Sequence, residues 1–189
     1  MNLKKNIIVN SLELFESYGI KVVTMDDIAN NMGISKKTLY VHFTGKKDLV
    51  KNVVHFLFER HFLAIEQILA ENETAIKKIN KIYEYAVSYL IKVPPVFYLD
   101  LQKHHADAYK KYEQYRKEII FGLIKNLLDE GQLNGEIDKT IKTEMFCEFH
   151  LISLDKIINS KILSLRYSVK DILHNTIGVS LKGITISHC

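Results

Sequence analysis

The sequence predicts an all-α chain, and three observations carry that reading. Breakers are scarce, with two Pro and eight Gly in 189 residues, too few for the frequent turns of a β-sandwich. No segment sustains an apolar alternation of period two, whereas apolar residues recur at i, i+3, i+4 and i+7 in several stretches. Hydrophobic residues at 47% and charged residues at 25% are ordinary globular values, so the chain has the apolar material for a core near the single-domain size limit. The punctuation falls into two regimes: Gly19, Gly33 and Gly45 are close together, and then Lys46 to Val93 contains neither Gly nor Pro. This predicts a small front domain, 1–47, of short helices and a larger helical body, 48–189.

The first helix is expected from Leu3 to Tyr18, with Ile8, Leu12 and Phe15 on its apolar stripe. Gly19 suits a left-handed C′ position, and Ile20 then covers the last turn. Thr24 reads as the N-cap of a second helix, and Asp27 three residues on completes a capping box. Met25, Ile28, Ala29 and Met32 form its apolar face; Gly33 ends it and Ser35 caps a third helix. Ile34, Leu39 and Phe43 are assigned to the core.

Longer helices follow. Asp48 to Ala70 carries Leu49, Val53, Phe56, Leu57, Leu63 and Ile65 as its stripe, and Ala75 to Lys92 is the next. A short helix is expected after Pro95, then Tyr109 to Glu130, Thr140 to Asn159, and Ser168 to Lys182, where Ser168 and Asp171 suggest another capping box. Met145 to Ile158 is apolar on more than one face, so one side is expected in the protomer core and the other against a partner subunit. The last helix, with Ile172, Leu173, Ile177, Val179, Leu181 and Ile184, completes that expected dimer interface. Seven of the ten Tyr lie between Tyr83 and Tyr115. They read either as helix-seam packing or as the wall of a small-molecule pocket, with Tyr85, Tyr89, Phe97, Tyr98 and His104 as candidate ligand contacts.

Other function classes find little support. Cys147 and His150, and His104 and Asp107, sit at i, i+3 without a local third ligand, so no metal is expected. Gly-rich phosphate loops, nucleophile elbows and acid pairs are missing, so an enzyme and a cofactor are not expected. The two cysteines, Cys147 and Cys189, make no disulfide framework, which fits a reducing compartment. The apolar run after Lys4-Lys5 is broken by Asn6, Asn10 and Glu13, and no uncharged stretch reaches a membrane-spanning length. A cytoplasmic, membrane-free protein is the expectation.

The net charge of +4 is mild, but Ser35 to Lys47 holds four lysines and no acid. An anionic partner met at one place would explain that concentration; so would a plain solvated face. Helix, glycine turn, helix over Met25 to Phe43 is the spacing of a DNA-binding helix-turn-helix, although helix pairs of that kind also occur in other all-α proteins. Lys36 and Lys37 occupy a first turn where the macrodipole prefers acids. Phosphates at that helix end would favour lysine over a carboxylate.

The string Thr24-Met25-Asp26-Asp27-Ile28-Ala29 … Gly33-Ile34-Ser35-Lys36-Lys37-Thr38-Leu39-Tyr40-Val41-His42-Phe43 … Lys46-Lys47-Asp48-Leu49 closely resembles the N-terminal domain of TetR-family bacterial transcriptional repressors, over about residues 5–50. The resemblance implies a homodimer that binds a palindromic operator in double-stranded DNA and is released by a small-molecule effector. By position, Thr24 would touch phosphate; Lys36, Lys37 and Thr38, after the Ser35 cap, would face the major groove. Tyr40 and His42 would reach the DNA backbone, and Lys46 would clamp a phosphate. Tyr40 has packing, and His42 a core-edge position, as alternative roles. Between Ser35 and Phe43 there is no Arg, Asn or Gln, so bidentate base readout is poor and specificity leans on DNA shape. The rival within regulation is an activator or ligand-independent DNA binder, and the rival outside it is a helical ligand-binding or partner-docking protein whose front domain does not bind DNA.

Overall fold

The computed structural model describes residues 2–159 and 166–186; Cys189 and the side chains of Ile158 and Leu173, which enter the expectations above, lie outside the described residues. In chain order the helices are α1 (Leu3–Tyr18), α2 (Met25–Asn31), α3 (Lys36–His42), α4 (Lys46–Leu69), α5 (Ala75–Lys92), α6 (Pro95–His104) and α7 (Ala106–Lys117). A π-helical stretch, Glu118–Ile124, leads into α8 (Lys125–Leu133), and α9 (Thr143–Asn159) follows. Last come α10 (Val169–Leu173), a second π-helical stretch (His174–Gly178) and α11 (Val179–Ile184). Among the described residues no strand forms, and a single antiparallel bridge joins Ile137 to Thr185. The helices group into two compact units: residues up to Phe62 with Val93–Tyr115, and Leu63–Lys92 with residues from Arg116 onward.

In the first unit the expected caps form. Thr24 and Asp27 make the reciprocal capping box of α2, and the Ser35 hydroxyl accepts from the Thr38 amide at 3.0 Å at the start of α3. The stripe of α1 is corrected: Ile7, Ser11, Leu12 and Phe15 are buried and Ile8 only half-buried. Leu39 and Phe43 are buried as expected. Ile34 and Met32 are half-buried instead, because both belong to the turn at the open rim of the α2–α3 crossing. Leu49, Val53 and Leu57 of α4 are buried, but Leu63 is exposed, because the helical period turns it away from the face that also buries Val50, Val54, Phe58 and Ile65.

Gly19 departs from the left-handed geometry expected of it. Its φ of 89° comes with ψ of 155°, a region essentially open to glycine alone. A Cβ there would also stand 3.1 Å from Asp100 Oδ2 and from Val96 Cγ1. Asp100, buried on α6, accepts the Lys21 amide at 2.7 Å, so glycine lets α6 close on the α1–α2 turn. Gly33 has φ of 65° and open space where a Cβ would stand. Gly19→Ala should therefore cost about 2 kcal/mol or more of stability and Gly33→Ala about 1 kcal/mol. Urea midpoints check this; equal shifts for the two variants would contradict the packing argument.

In the second unit a core of Ile79, Ile82, Val87, Ile124, Leu128, Cys147 and Leu181 is closed by α5, α8, α9 and the last helical segment. Cys147 is the small buried hydrophobe its setting demands: its thiol donates to the Ile120 carbonyl at 3.5 Å, and burial pushes its pKa up to about 11. One polar chain crosses this core. His150 Nδ1 lies 2.7 Å from the Tyr83 hydroxyl, and Nε2 lies 2.9 Å from Ser180 Oγ. A consistent assignment has Tyr83 donating to Nδ1, Nε2–H donating to Ser180, and Ser180 donating to the Ile177 carbonyl at 2.8 Å. The chain joins α5, α9 and α11, and burial lowers the His150 pKa to about 4, so the ring is neutral.

Candidate nucleic-acid interface

The α2–α3 pair is built by a short turn. The Ile34 amide donates to the Ala29 carbonyl at 3.0 Å and the Gly33 amide to Asn30 at 3.1 Å, so the reversal satisfies its own backbone. With Leu39 and Phe43 turned inward, the helical period leaves Lys36, Lys37, Tyr40 and Val41 on the outer face of α3. All four are exposed.

Their electrostatics differ. The Lys36 ammonium donates to Asp26 on α2 at 2.9 Å, and that bond raises its pKa above the ordinary lysine value. Asp26 thereby offsets part of the misfit between Lys36 and the α3 macrodipole. Both groups are more than half exposed, so opening the pair costs little. Lys37 is exposed and has no side-chain hydrogen bond or ion pair among the described residues. Tyr40 is 46% exposed. His42 is half-buried.

Three expected contacts are already engaged within the chain. The Thr24 hydroxyl donates to Asp27 Oδ2 at 2.7 Å and accepts the Asp27 amide at 3.1 Å; the Thr24 backbone amide, which donates to Asp27 Oδ2 at 2.8 Å, and then the hydroxyl hold the Asp27 carboxyl below its usual range. Ser35 and Thr38 hydroxyls bond each other at 2.7 Å. Lys46 Nζ donates to the Lys21 carbonyl at 3.1 Å, leaving two of its N–H groups available. Burial lowers its pKa, against the opposing fields of Asp100 and Asp27.

The sequence reading passed over Val41, which is 74% exposed on the same face as Lys37. Its signal was present: position 41 lies opposite Leu39 and Phe43 on a seven-residue helix. The five aromatic and histidine candidates for ligand contact fall in both units. Tyr85 and Tyr89 are half-buried on α5 in the second. In the first, Phe97 is fully buried, edge-on to Tyr98 at 5.2 Å, and Tyr98 is tilted against Tyr112 at 5.7 Å. His104 is exposed and lines a cleft with Lys47, Lys51 and Lys103.

Residues 7–53, which contain this helix pair, match the model of the bacterial regulatory proteins of the tetR family. Over this domain the chain is similar to the TetR family of transcriptional regulators. Among its relatives, the HTH-type transcriptional regulator YvaF of Bacillus subtilis is 26% identical over 191 residues, covering 97% of this chain and 96% of its own. The biofilm operon icaADBC HTH-type negative transcriptional regulator IcaR of Staphylococcus aureus is 29% identical over 140 residues, 72% of this chain and 68% of its own. These relatives are transcriptional regulators, not enzymes. The fold as a whole is shared with the transcriptional regulator FadR from Bacillus subtilis, solved in complex with stearoyl-CoA, at a TM-score of 0.77 and 19% identity, covering 94% of this chain and 97% of that one. No helix among the described residues is long and apolar enough to cross a membrane.

Proposed function

We propose that this chain is a TetR-family regulator, a cytoplasmic repressor that binds a palindromic operator as a two-fold dimer and is released by a small-molecule effector. Residues 1–47 would serve DNA binding, and the body from residue 48 ligand binding and dimerisation. The observation that carries the DNA contact is the outer face of α3, where Lys37, Tyr40 and Val41 are exposed while Leu39 and Phe43 anchor the helix from behind. In this reading Lys36, Lys37 and Thr38 enter the major groove and Val41 offers an apolar contact to a thymine methyl. Ser35 holds the helix start, Tyr40 and His42 reach the sugar-phosphate backbone, and Lys46 and the start of α2 at Thr24 meet phosphates. A dimer would place two such helices in successive major grooves about 34 Å apart.

Dimerisation is assigned to α9 and the last helical segment. Met145, Phe149 and Ile152 on α9 are 72%, 57% and 57% exposed, and Val179 on α11 is exposed as well. Contiguous apolar surface of this kind marks an interface. Sedimentation showing only a 21.9 kDa species at micromolar concentration would rule the dimer out. The repressor reading draws on the negative regulator IcaR, and effector release on FadR crystallised with stearoyl-CoA. For the effector, Tyr85, Tyr89, Phe97, Tyr98 and His104 remain the candidate contacts. An effector acts by binding better to a body conformation that sets the recognition helices at another separation.

The test is a gel shift with the DNA upstream of the gene and with a selected random-DNA pool. Enrichment of an inverted repeat is the expected result. No shift at 50 mM salt would favour the rival, a helical binding protein whose front domain does not contact DNA. Lys46→Ala should weaken binding to all sequences and lower the slope of log affinity against log salt by about one. An unchanged slope removes that lysine from the phosphate contacts.

A further inference from the structure

The second unit contains a groove of about 610 Å³ between α5 and the segment that runs from α10 through the π-helical stretch into α11. That volume suits a small ligand, since binding pockets run from roughly 300 to 1,000 Å³. None of the five aromatic and histidine candidates lines it. Its floor is apolar, made by Ile76, Ile177 and Leu181 with the buried Tyr83 at its base. Its rim is basic: Lys170, His174 and Lys182 stand against the single carboxylate of Glu84.

The polar groups of the rim are unevenly engaged. The Asn80 amide donates to the Ile76 carbonyl at 3.0 Å, and the Thr185 hydroxyl donates to the Leu181 carbonyl at 2.7 Å. Asp171, the acid beside Lys170, is bound by the Ser168 amide and hydroxyl. The ammonium groups of Lys170 and Lys182 have no hydrogen bond or close ion pair among the described residues. Lining positions 170, 174, 178 and 182 recur at every fourth residue, one face of the segment, and Val179 of the proposed dimer surface lies off it.

An apolar trough edged by unengaged cations fits one ligand chemistry. We infer that this groove binds an anionic amphiphile, a molecule with one carboxylate or phosphate head and an apolar tail. The head pairs with Lys170 and His174, one turn apart at one end of the rim, or with Lys182 at the other, and the tail lies on Ile177, Leu181 and Ile76. This inference rests on the reading of the chain as an effector-released regulator, and it places the effector in this groove in preference to the five aromatic and histidine candidates.

Calorimetric titration of the full chain with octanoate, octyl phosphate and octan-1-ol tests it. One octanoate or octyl phosphate should bind per chain at least tenfold more tightly than the alcohol, and the tighter of the two identifies the head group. The double variant Lys170→Gln/Lys182→Gln, altered only at exposed side chains, should erase that tenfold difference. Ser88→Trp, which fills the groove, should abolish binding of all three while leaving the circular dichroism spectrum unchanged. Equal affinity for alcohol and anions, or anion binding indifferent to the lysine pair, overturns the assignment. The same preparations are run on operator DNA without ligand. Loss of the shift there would count against the regulator reading, and failed titration with an intact shift against the groove alone.

Discussion

Replacing both Phe149 and Ile152 with glutamate is expected to leave the chain monomeric and to lower operator affinity at least a hundredfold. Both side chains lie more than half exposed on α9, on the helix whose other face buries Cys147, His150 and Leu154. The protomer therefore keeps its core when they are changed. In a two-fold interface each substitution occurs twice, so four carboxylates would enter that surface. A stable dimer needs about 800 Å² of well-packed surface per partner, and desolvating unpaired carboxylates costs several kcal/mol. A monomer engages one half-site at a time, and a hundredfold loss corresponds to about 2.8 kcal/mol. Sedimentation velocity and fluorescence anisotropy on labelled operator check the two parts. A double variant that remains dimeric would move the interface away from α9.

Acid should destabilise the protein well before its carboxylates titrate. His61 and His150 are both buried, and burial lowers each pKa from 6.5 to about 4; for His61 the neighbouring Arg60 adds to the shift. The unfolded chain then binds more protons than the folded one between these values, so stability falls as pH drops through that window and is complete above it. Going from pH 7 to pH 5 should cost about 2 kcal/mol per histidine. Carboxyls held below their usual range, such as Asp129 with its Lys125 and Thr143 partners, lose their contribution at lower pH still. His150→Phe should lower stability at pH 7 by about 2 kcal/mol, because the buried Tyr83 hydroxyl loses its acceptor. It should also remove roughly half of the pH 7 to pH 5 loss, and adding Tyr83→Phe should restore about 1 kcal/mol. Urea unfolding at the two pH values measures each quantity. A His150→Phe variant with the full acid sensitivity would assign that sensitivity elsewhere.

Much of the helical pattern was legible from residues. Leu3–Tyr18 and Ala75–Lys92 have the expected bounds, because Asn2, Gly19 and Lys92-Val93-Pro94 delimit uninterrupted amphipathic runs. Both capping boxes, at Thr24 and Ser168, form as read, since a cap is a contact three residues long. Other details were not local. Tyr109 to Glu130 was read as one helix, yet the run begins at Ala106, loosens into a π-helical stretch at Glu118–Ile124 and ends at Leu133. No local spacing marks that change of register. Likewise Thr140 to Asn159 begins at Thr143, after Asp138 bonds Thr140 and the 137–185 bridge forms.

The candidate site divides the same way. Spacing, caps and the lysine run placed the outer face of α3, because a seven-residue helix with Leu39 and Phe43 inward leaves no freedom about what faces out. Which of those groups is already engaged was decided by contacts distant in sequence. Asp26 meets Lys36 across the turn, Lys21 supplies its carbonyl to Lys46, and Asp100 reaches the Lys21 amide from α6. Periodicity and capping follow from backbone geometry within a few residues, so the sequence alone determined the helices, the bend and the basic edge. Burial of His150 with Tyr83 and Ser180, 67 and 30 residues away, and the basic-rimmed groove required segments distant in sequence to meet. Only the folded chain brings those together.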